Sequence, residues 1–212
     1  MAIPEDRLET WSRQGSVQQS SDTYYAVKNA LETKGTKFDG KARVFLQGSY
    51  GKDTNIYAES DVDVVICLDT TYFYDTSDVN PQDLQRFNAS FSPASYLYAD
   101  FKSDVVSALE KSFTKADVTP ASKAIKIKAR GNRRAADVIA DTQFRLYYSG
   151  ALGLDFHQGI CFFDSKGNRI INYPEQHRRN LVNKQAVTND WFKPTVRIFK
   201  NMRSRLVEDK TI

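Results

Sequence analysis

Three aspartates in or beside apolar segments have the residue type and spacing of candidate catalytic or metal-binding residues. Asp61 and Asp63 open residues 61–68 (DVDVVICL), a β-branched and nearly all-apolar segment that predicts a strand. Side chains two apart on a strand point to the same face, so the two carboxylates would project together and repel each other. A divalent cation between them would offset the repulsion and the cost of desolvation. A solvated strand end is the alternative interpretation and stays open.

Asp137 is the third candidate, because Ala136, Val138 and Ile139 surround it with apolar neighbours. A carboxylate in such a segment needs a partner. A neighbouring strand could bring it beside Asp61 and Asp63, so that three carboxylates surround one or two metal ions. The alternative is an ion pair within its own hairpin, with Arg133, Arg134 or Lys126.

Gly48 and Ser49 follow a predicted short strand, residues 41–47 (KARVFLQ), and precede the Asp61 segment. Glycine permits a close backbone approach, and Ser49 is placed to open a short helix over residues 50–54. Unpaired N–H groups at such a helix start can bind phosphate. A simple tight turn explains the same two residues, so the pair carries weight only in front of the Asp-x-Asp strand.

The elements that must position these residues alternate between strand and helix. Helical spacing predicts helices at residues 20–34, at 92–113 behind a Ser92-Pro93 cap, and at 191–206, and residues 69–91 are predicted to be polar and turn-rich. Hairpins are predicted for 124–129 with 135–140 and for 159–163 with 169–173. The order favours an α/β or α+β fold with a mixed sheet flanked by helices.

Composition excludes several classes of protein. The 212 residues are 41% hydrophobic and 26% charged, with a net charge of +4, and no apolar run approaches the length of a membrane span. No secretory leader is recognised, so we expect a cytoplasmic protein without membrane contact. Cys67 and Cys161 lie in apolar segments and are expected to be inert core thiols. Zinc is disfavoured because two Cys and two His lack ligand spacing.

Six basic residues lie between positions 123 and 134: Lys123, Lys126, Lys128, Arg130, Arg133 and Arg134. Such a face can bind nucleic acid. It is also typical of the outer side of a half-exposed hairpin, which we favour. Binding of nucleic acid therefore stays open.

Together, Gly48-Ser49, Asp61-Val62-Asp63 and Asp137 resemble the motif set of the DNA polymerase β nucleotidyltransferase superfamily. The stretch QGSYGKDTNIYAESDVDVVICL (residues 47–68) is similar more narrowly to the CD-NTase family, the bacterial relatives of cyclic GMP-AMP synthase. Supporting segments are IPEDRLETWSRQGSVQQSSDTYYAVKNALE, GICFFDSKGNRIINYPEQH and NDWFKPTVRIFKNMRS. The resemblance implies a polymerase β-like catalytic domain over residues 1–175. It also implies the beginning of a helical C-terminal lobe over 176–212, expected to be incomplete.

The resemblance also implies a reaction and roles for residues. It implies transfer with two Mg²⁺ or Mn²⁺ ions held by Asp61, Asp63 and Asp137, and a triphosphate bound by Gly48, Ser49 and Lys193. The substrates would be nucleoside triphosphates, with ATP favoured, and the product a cyclic oligonucleotide second messenger of anti-phage defence. A regulatory protein partner is left open.

The alternatives are a transferase of the same superfamily that modifies an RNA end, a protein or a small molecule, and a non-catalytic nucleic-acid-binding module. Lys193 itself has a simpler interpretation, as a solvated helix lysine.

Overall fold

The computed structural model describes residues 3–15, 17–58, 61–90, 92–151 and 153–209. Within these ranges, the helices are α1 (Glu5–Ser12), α2 (Val17–Leu31), α3 (Pro81–Ser90), α4 (Tyr98–Phe113), α5 (Pro174–Val187) and α6 (Phe192–Glu208). The strands are β1 (Ala42–Leu46), β2 (Val62–Asp78), β3 (Val118–Pro120), β4 (Ile125–Ile127), β5 (Ala136–Gly150), β6 (Gly153–Phe163) and β7 (Arg169–Asn172). A 3₁₀ turn (Tyr50–Lys52) lies between β1 and β2.

The described strands form one mixed sheet of seven, in the order β1-β2-β5-β4-β3, with β6 on the distal part of β5 and β7 on β6. β2 and β5 run parallel, whereas the other strand pairs are antiparallel. The mixed sheet with flanking helices confirms the expected fold class. None of the described helices is long and apolar enough to cross a lipid bilayer.

The main core lies between α2, α4 and one face of the sheet. Alternation along β2 turns Val62, Val64, Ile66 and Leu68 to this face, where they pack with residues of α2 and α4. Complete burial of each such side chain contributes about 1.5–3 kcal/mol. The opposite face carries Asp63 and a small apolar cluster around Val65. One face of the sheet therefore packs into the main core, and the other carries the candidate site.

The two cysteines are buried free thiols, as expected. Burial raises the pKa of both, to about 11 for Cys161, so the thiols stay protonated and unreactive at neutral pH.

The expectation that residues 69–91 are turn-rich is wrong. β2 continues to Asp78 beside β5 after a register shift, and α3 follows it. Asn80 caps α3, because its Oδ1 accepts the Asp83 N–H (2.9 Å) and its Nδ2 donates to the Asp83 carboxylate (3.0 Å). Phe91 lies outside the described residues.

The predicted start of the next helix is also wrong. Helix α4 begins at Tyr98, and the residue before it, Leu97, has an extended backbone. Thr71 donates a hydrogen bond to the Tyr96 carbonyl (2.8 Å) and so ties the preceding segment to β2. Ser92-Pro93 therefore lies in a connection and does not cap the helix.

Candidate active site

Asp63 and Asp137 lie side by side on two parallel strands. They are register partners between β2 and β5, and each side chain is partly buried. Val62 and Val64, the neighbours of Asp63, are fully buried on the opposite face. Asp61 immediately precedes β2 and is exposed. Parallel pairing thus places the third aspartate on the sheet face that carries the Asp-x-Asp pair.

An electrostatic interaction links Asp137 with Asp61. The pKa of Asp137 is raised, mainly by burial and further by the negative charge of Asp61, against a lowering by Lys126. Lys126 is the register partner of Asp137 on β4, and its Nζ lies 3.9 Å from Asp137 Oδ1. Lys126 is therefore an ion-pair partner of Asp137, as the sequence allowed. Arg133, another candidate partner, instead bonds to Asp117.

The Gly48-Ser49 turn packs directly against Asp63. Gly48 has a φ of +62°, and a Cβ added to it would lie 1.8 Å from Asp63 Oδ2. The Gln47 N–H donates to the Asp63 carbonyl (3.0 Å), which fixes the turn to β2. Glycine is needed at position 48 for its left-handed backbone and for the approach of a carboxylate, a contact that the sequence alone did not reveal.

Ser49 precedes the 3₁₀ turn Tyr50–Lys52 and has helical backbone angles, but the turn is shorter than the helix expected over residues 50–54. The turn is short, and the Thr54 N–H closes it by donating to the Ser49 carbonyl (2.9 Å). Residues 49–54 therefore form a closed loop beside the aspartates.

Lys193, near the start of α6, reaches this loop from the C-terminal side. Its Nζ lies 2.7 Å from Asp53 Oδ2. Arg197, one turn further along α6, donates to the Asp53 carbonyl and the Ser12 carbonyl. The structure brings Lys193 to the loop but gives it a carboxylate partner that was not foreseen. Asp53 ends the 3₁₀ turn with a positive φ, a preference that sequence does not signal for aspartate.

The donor set suits a hard divalent cation. Its three side chains are carboxylates, the oxygen ligands that Mg²⁺ and Mn²⁺ prefer, and the space beside Asp63 Oδ2 is one that any Cβ at position 48 would fill. Across the described part of the chain, no three His, Cys, Asp or Glu side chains already converge closely enough to hold one ion. The chemistry of the site therefore fits the metal, and cation binding would have to draw the carboxylates together.

A cavity of about 370 Å³ opens on the same sheet face, and sequence reasoning did not find it. Three segments that are distant in sequence line it, including Arg43, Phe45, His157, Gln158, Pro174 and Arg179. A concave site with mixed apolar and basic lining is typical of small-molecule binding. No local pattern could have predicted it, because its walls meet only in the folded sheet.

Comparisons with known proteins agree with this geometry. Residues 179–212 match the model of the cGAS/DncV-like nucleotidyltransferase C-terminal helical domain. The chain is 35% identical over 218 residues to the cyclic nucleotide synthase CdnE01 of Staphylococcus haemolyticus, which covers 100% of this chain and 72% of that protein.

Two solved structures are also similar. The Rhodothermus marinus CdnE c-UMP-AMP synthase with Apcpp and Upnpp has a TM-score of 0.83 and 34% identity, over 98% of this chain and 69% of that one. The Elizabethkingia meningoseptica CdnE cyclic dinucleotide synthase with GTP and Apcpp has a TM-score of 0.76 and 30% identity, over 100% and 70%. The chain belongs to the CD-NTase family, as a CdnE-type cyclic nucleotide synthase with the polymerase β-like nucleotidyltransferase fold.

Proposed function

We propose that this protein joins nucleoside triphosphates into a cyclic oligonucleotide second messenger at the site formed by Asp61, Asp63 and Asp137. The observation that carries the proposal is the register of Asp63 with Asp137, together with the approach of Gly48 to Asp63. This arrangement supports a triphosphate site in which the Gly48-Ser49 turn lies beside acidic side chains at one end of β2 and β5.

Family membership implies transfer that depends on a divalent metal, and we propose two Mg²⁺ or Mn²⁺ ions held by the three aspartates. When bound, such ions lower the pKa of the attacking hydroxyl and stabilise the departing pyrophosphate. Gly48 makes room for the Asp63 carboxylate beside the turn, and we propose that Ser49 offers its amide and hydroxyl to the triphosphate as donors. Lys193 offers an ammonium from α6.

The chain's residues then act by positioning and by charge. Gly48, Ser49 and Lys193 hold the triphosphate so that the α-phosphorus faces the acceptor hydroxyl. Asp137 lies on the acceptor side. A new P–O bond forms to the hydroxyl oxygen as the bond to pyrophosphate breaks. A second transfer within the linear product closes the ring.

The relatives guide the choice of substrates. The solved relatives carry analogues of ATP and UTP in one case, and GTP with an ATP analogue in the other. We propose nucleoside triphosphates, ATP among them, as substrates of this chain. In the family's bacterial setting, the product would switch on an effector in anti-phage defence. We also propose the lobe boundary near residue 176, beside the region matched by the C-terminal helical domain model.

The identity of the reaction product tests the proposal. Incubation with all four labelled nucleoside triphosphates and Mg²⁺ or Mn²⁺, then phosphatase treatment and mass spectrometry, should yield a phosphatase-resistant cyclic species. Asp63→Asn, run in parallel, should yield none. Label that enters only an added RNA, protein or small-molecule acceptor would instead indicate the other transferase of the superfamily.

A further inference from the structure

Asp53 and Lys193 form an ion pair at the back of the loop that holds Ser49. The distance between Lys193 Nζ and Asp53 Oδ2 is 2.7 Å, and the side chains are 19% and 58% exposed, respectively. The Lys193 side chain is thus mostly buried, whereas the Asp53 side chain is mostly exposed to solvent.

The backbone at Asp53 is unusual for an aspartate. Its φ of 55° and ψ of 32° lie in the left-handed region. Glycine adopts this region without steric cost, and other residues are strained there. Aspartate and asparagine tolerate this region better than most side chains. Backbone geometry by itself therefore favours glycine at position 53 and does not account for a carboxylate at this position.

Lys193 is the fixed member of the pair. Its backbone N–H donates to Gln185 Oε1 (2.7 Å), and the next turn of α6 is held to the same loop by Arg197 and the Asp53 carbonyl. The exposed Asp53 carboxylate is the member that can turn away into solvent. A second anion that approaches this ammonium is repelled by the carboxylate already there.

We propose that Asp53 is an internal competitor of the triphosphate: its carboxylate occupies Lys193 until the incoming phosphates displace it. The proposal rests on the proposed function, in which Lys193 and Ser49 bind the triphosphate. A phosphate chain carries several negative charges and displaces a single carboxylate. The carboxylate nevertheless weakens phosphate binding, both by holding the ammonium and by repelling the ligand.

Binding of inorganic tripolyphosphate with Mg²⁺, measured by calorimetry, tests the competition without any contribution from a base. Asp53→Asn keeps the shape and the tolerance for a positive φ while removing the charge. It should bind tripolyphosphate about three- to fivefold more tightly than the parent, in keeping with the modest strength of half-exposed ion pairs. The gain should shrink as salt is raised, because screening weakens the competing pair.

Four further variants separate the explanations. Asp53→Gly relieves the backbone and should show the same gain, which also covers a failure of Asp53→Asn to fold. Lys193→Met should reduce the gain to the part that comes from repulsion, so that Asp53→Asn/Lys193→Met exceeds Lys193→Met in affinity by less than Asp53→Asn exceeds the parent. Asp39→Asn removes the same charge from an exposed turn at the other end of β1 and should bind like the parent.

The outcomes distinguish this inference from the function on which it rests. If Ser49→Ala weakens binding but folded Asp53→Asn binds like the parent or more weakly, the competition is wrong and the phosphate site stands. If Ser49→Ala and Lys193→Met both bind like the parent, the phosphate site itself is wrong.

Discussion

At the scale of single residues, Gly48 in the proposed phosphate turn lies against Asp63, the proposed catalytic carboxylate. A Cβ at position 48 would lie 1.8 Å from Asp63 Oδ2, well inside any allowed contact. Gly40 provides a matched comparison, because its φ of +69° is similar and a Cβ there would meet nothing within 4 Å.

Gly48→Ala should therefore cost more stability than Gly40→Ala and should abolish transfer. The Gly40 variant should lose about 1–2 kcal/mol, the usual cost of a left-handed backbone for an L-residue. The Gly48 variant adds displacement of Asp63 to that cost. Urea unfolding and product formation measure the two effects, and equal losses in the two variants would mean that Asp63 moves aside freely.

Asp63→Asn should abolish nucleotide transfer and leave the fold intact. Loss of one of several repelling carboxylates should keep the free energy of unfolding unchanged or raise it by about 0.5–1 kcal/mol. Asp78→Asn, at the exposed end of the same strand, is the control and should retain activity. Turnover in folded Asp63→Asn with metal present would contradict the metal-ligand assignment. Asp61→Asn is expected to behave as Asp63→Asn does.

At the scale of elements, the hairpin of β4 and β5 positions Asp137, and an ion pair outside the sheet face secures that hairpin. Arg133 Nη2 donates to Asp117 Oδ2 (3.1 Å) and to the Lys128 carbonyl (2.9 Å), and its guanidinium lies 4.7 Å from the Phe113 ring centre. Arg130 reaches the same carboxylate at 3.4 Å. Three of the six basic residues of this hairpin are thus engaged within the fold, Arg130 and Arg133 with Asp117 and Lys126 with Asp137, in keeping with the structural interpretation of that segment.

Asp117→Asn should lower the melting temperature at neutral pH, and the difference from the parent should vanish in acid. The hydrogen bond from Arg133 holds the pKa of Asp117 below its ordinary value. A carboxyl with a lowered folded pKa stabilises the protein above its unfolded pKa of about 3.9. That stabilisation is lost as the pH falls through the lower folded value. Melting curves of parent and variant between pH 7 and pH 3 measure it, and a constant difference would contradict the assignment.

At the scale of the whole molecule, α6 joins α1 to the loop of residues 49–54. Asn201 donates to the Trp11 carbonyl (3.1 Å), and Arg197 bridges the Ser12 and Asp53 carbonyls. No described residue of α6 is fully buried, so these polar contacts make up much of its attachment.

Arg197→Met should lower the free energy of unfolding by about 1–2 kcal/mol, because it removes two hydrogen bonds from a charged donor that is only partly buried. Arg203→Met, an exposed change on the same helix, should have almost no effect. Urea unfolding compares them. Equal stability of the two variants would mean that apolar packing alone holds α6.

Prediction from sequence succeeded where the signal is local. A run of β-branched and apolar residues marked β2 near Asp63, the turn at Gly131 marked the β4–β5 hairpin, and helical spacing marked α6. The extension of β2 beyond residue 68 and the start of α4 were missed. Both depend on pairing with β5 and on the Thr71 hydrogen bond, which join segments that are distant in the chain.

The sequence by itself determined the family, the mixed fold and the residue types of the site, because motif spacing and periodicity are properties of neighbouring residues. The tertiary structure decided which face each carboxylate shares, the close approach of Gly48 to Asp63 and the pairing of Lys193 with Asp53. These contacts depend on strand register and on the docking of α6. Register is set by burial summed over the sheet, and the docking of α6 by polar contacts with residues distant in the chain, so no single segment contains either.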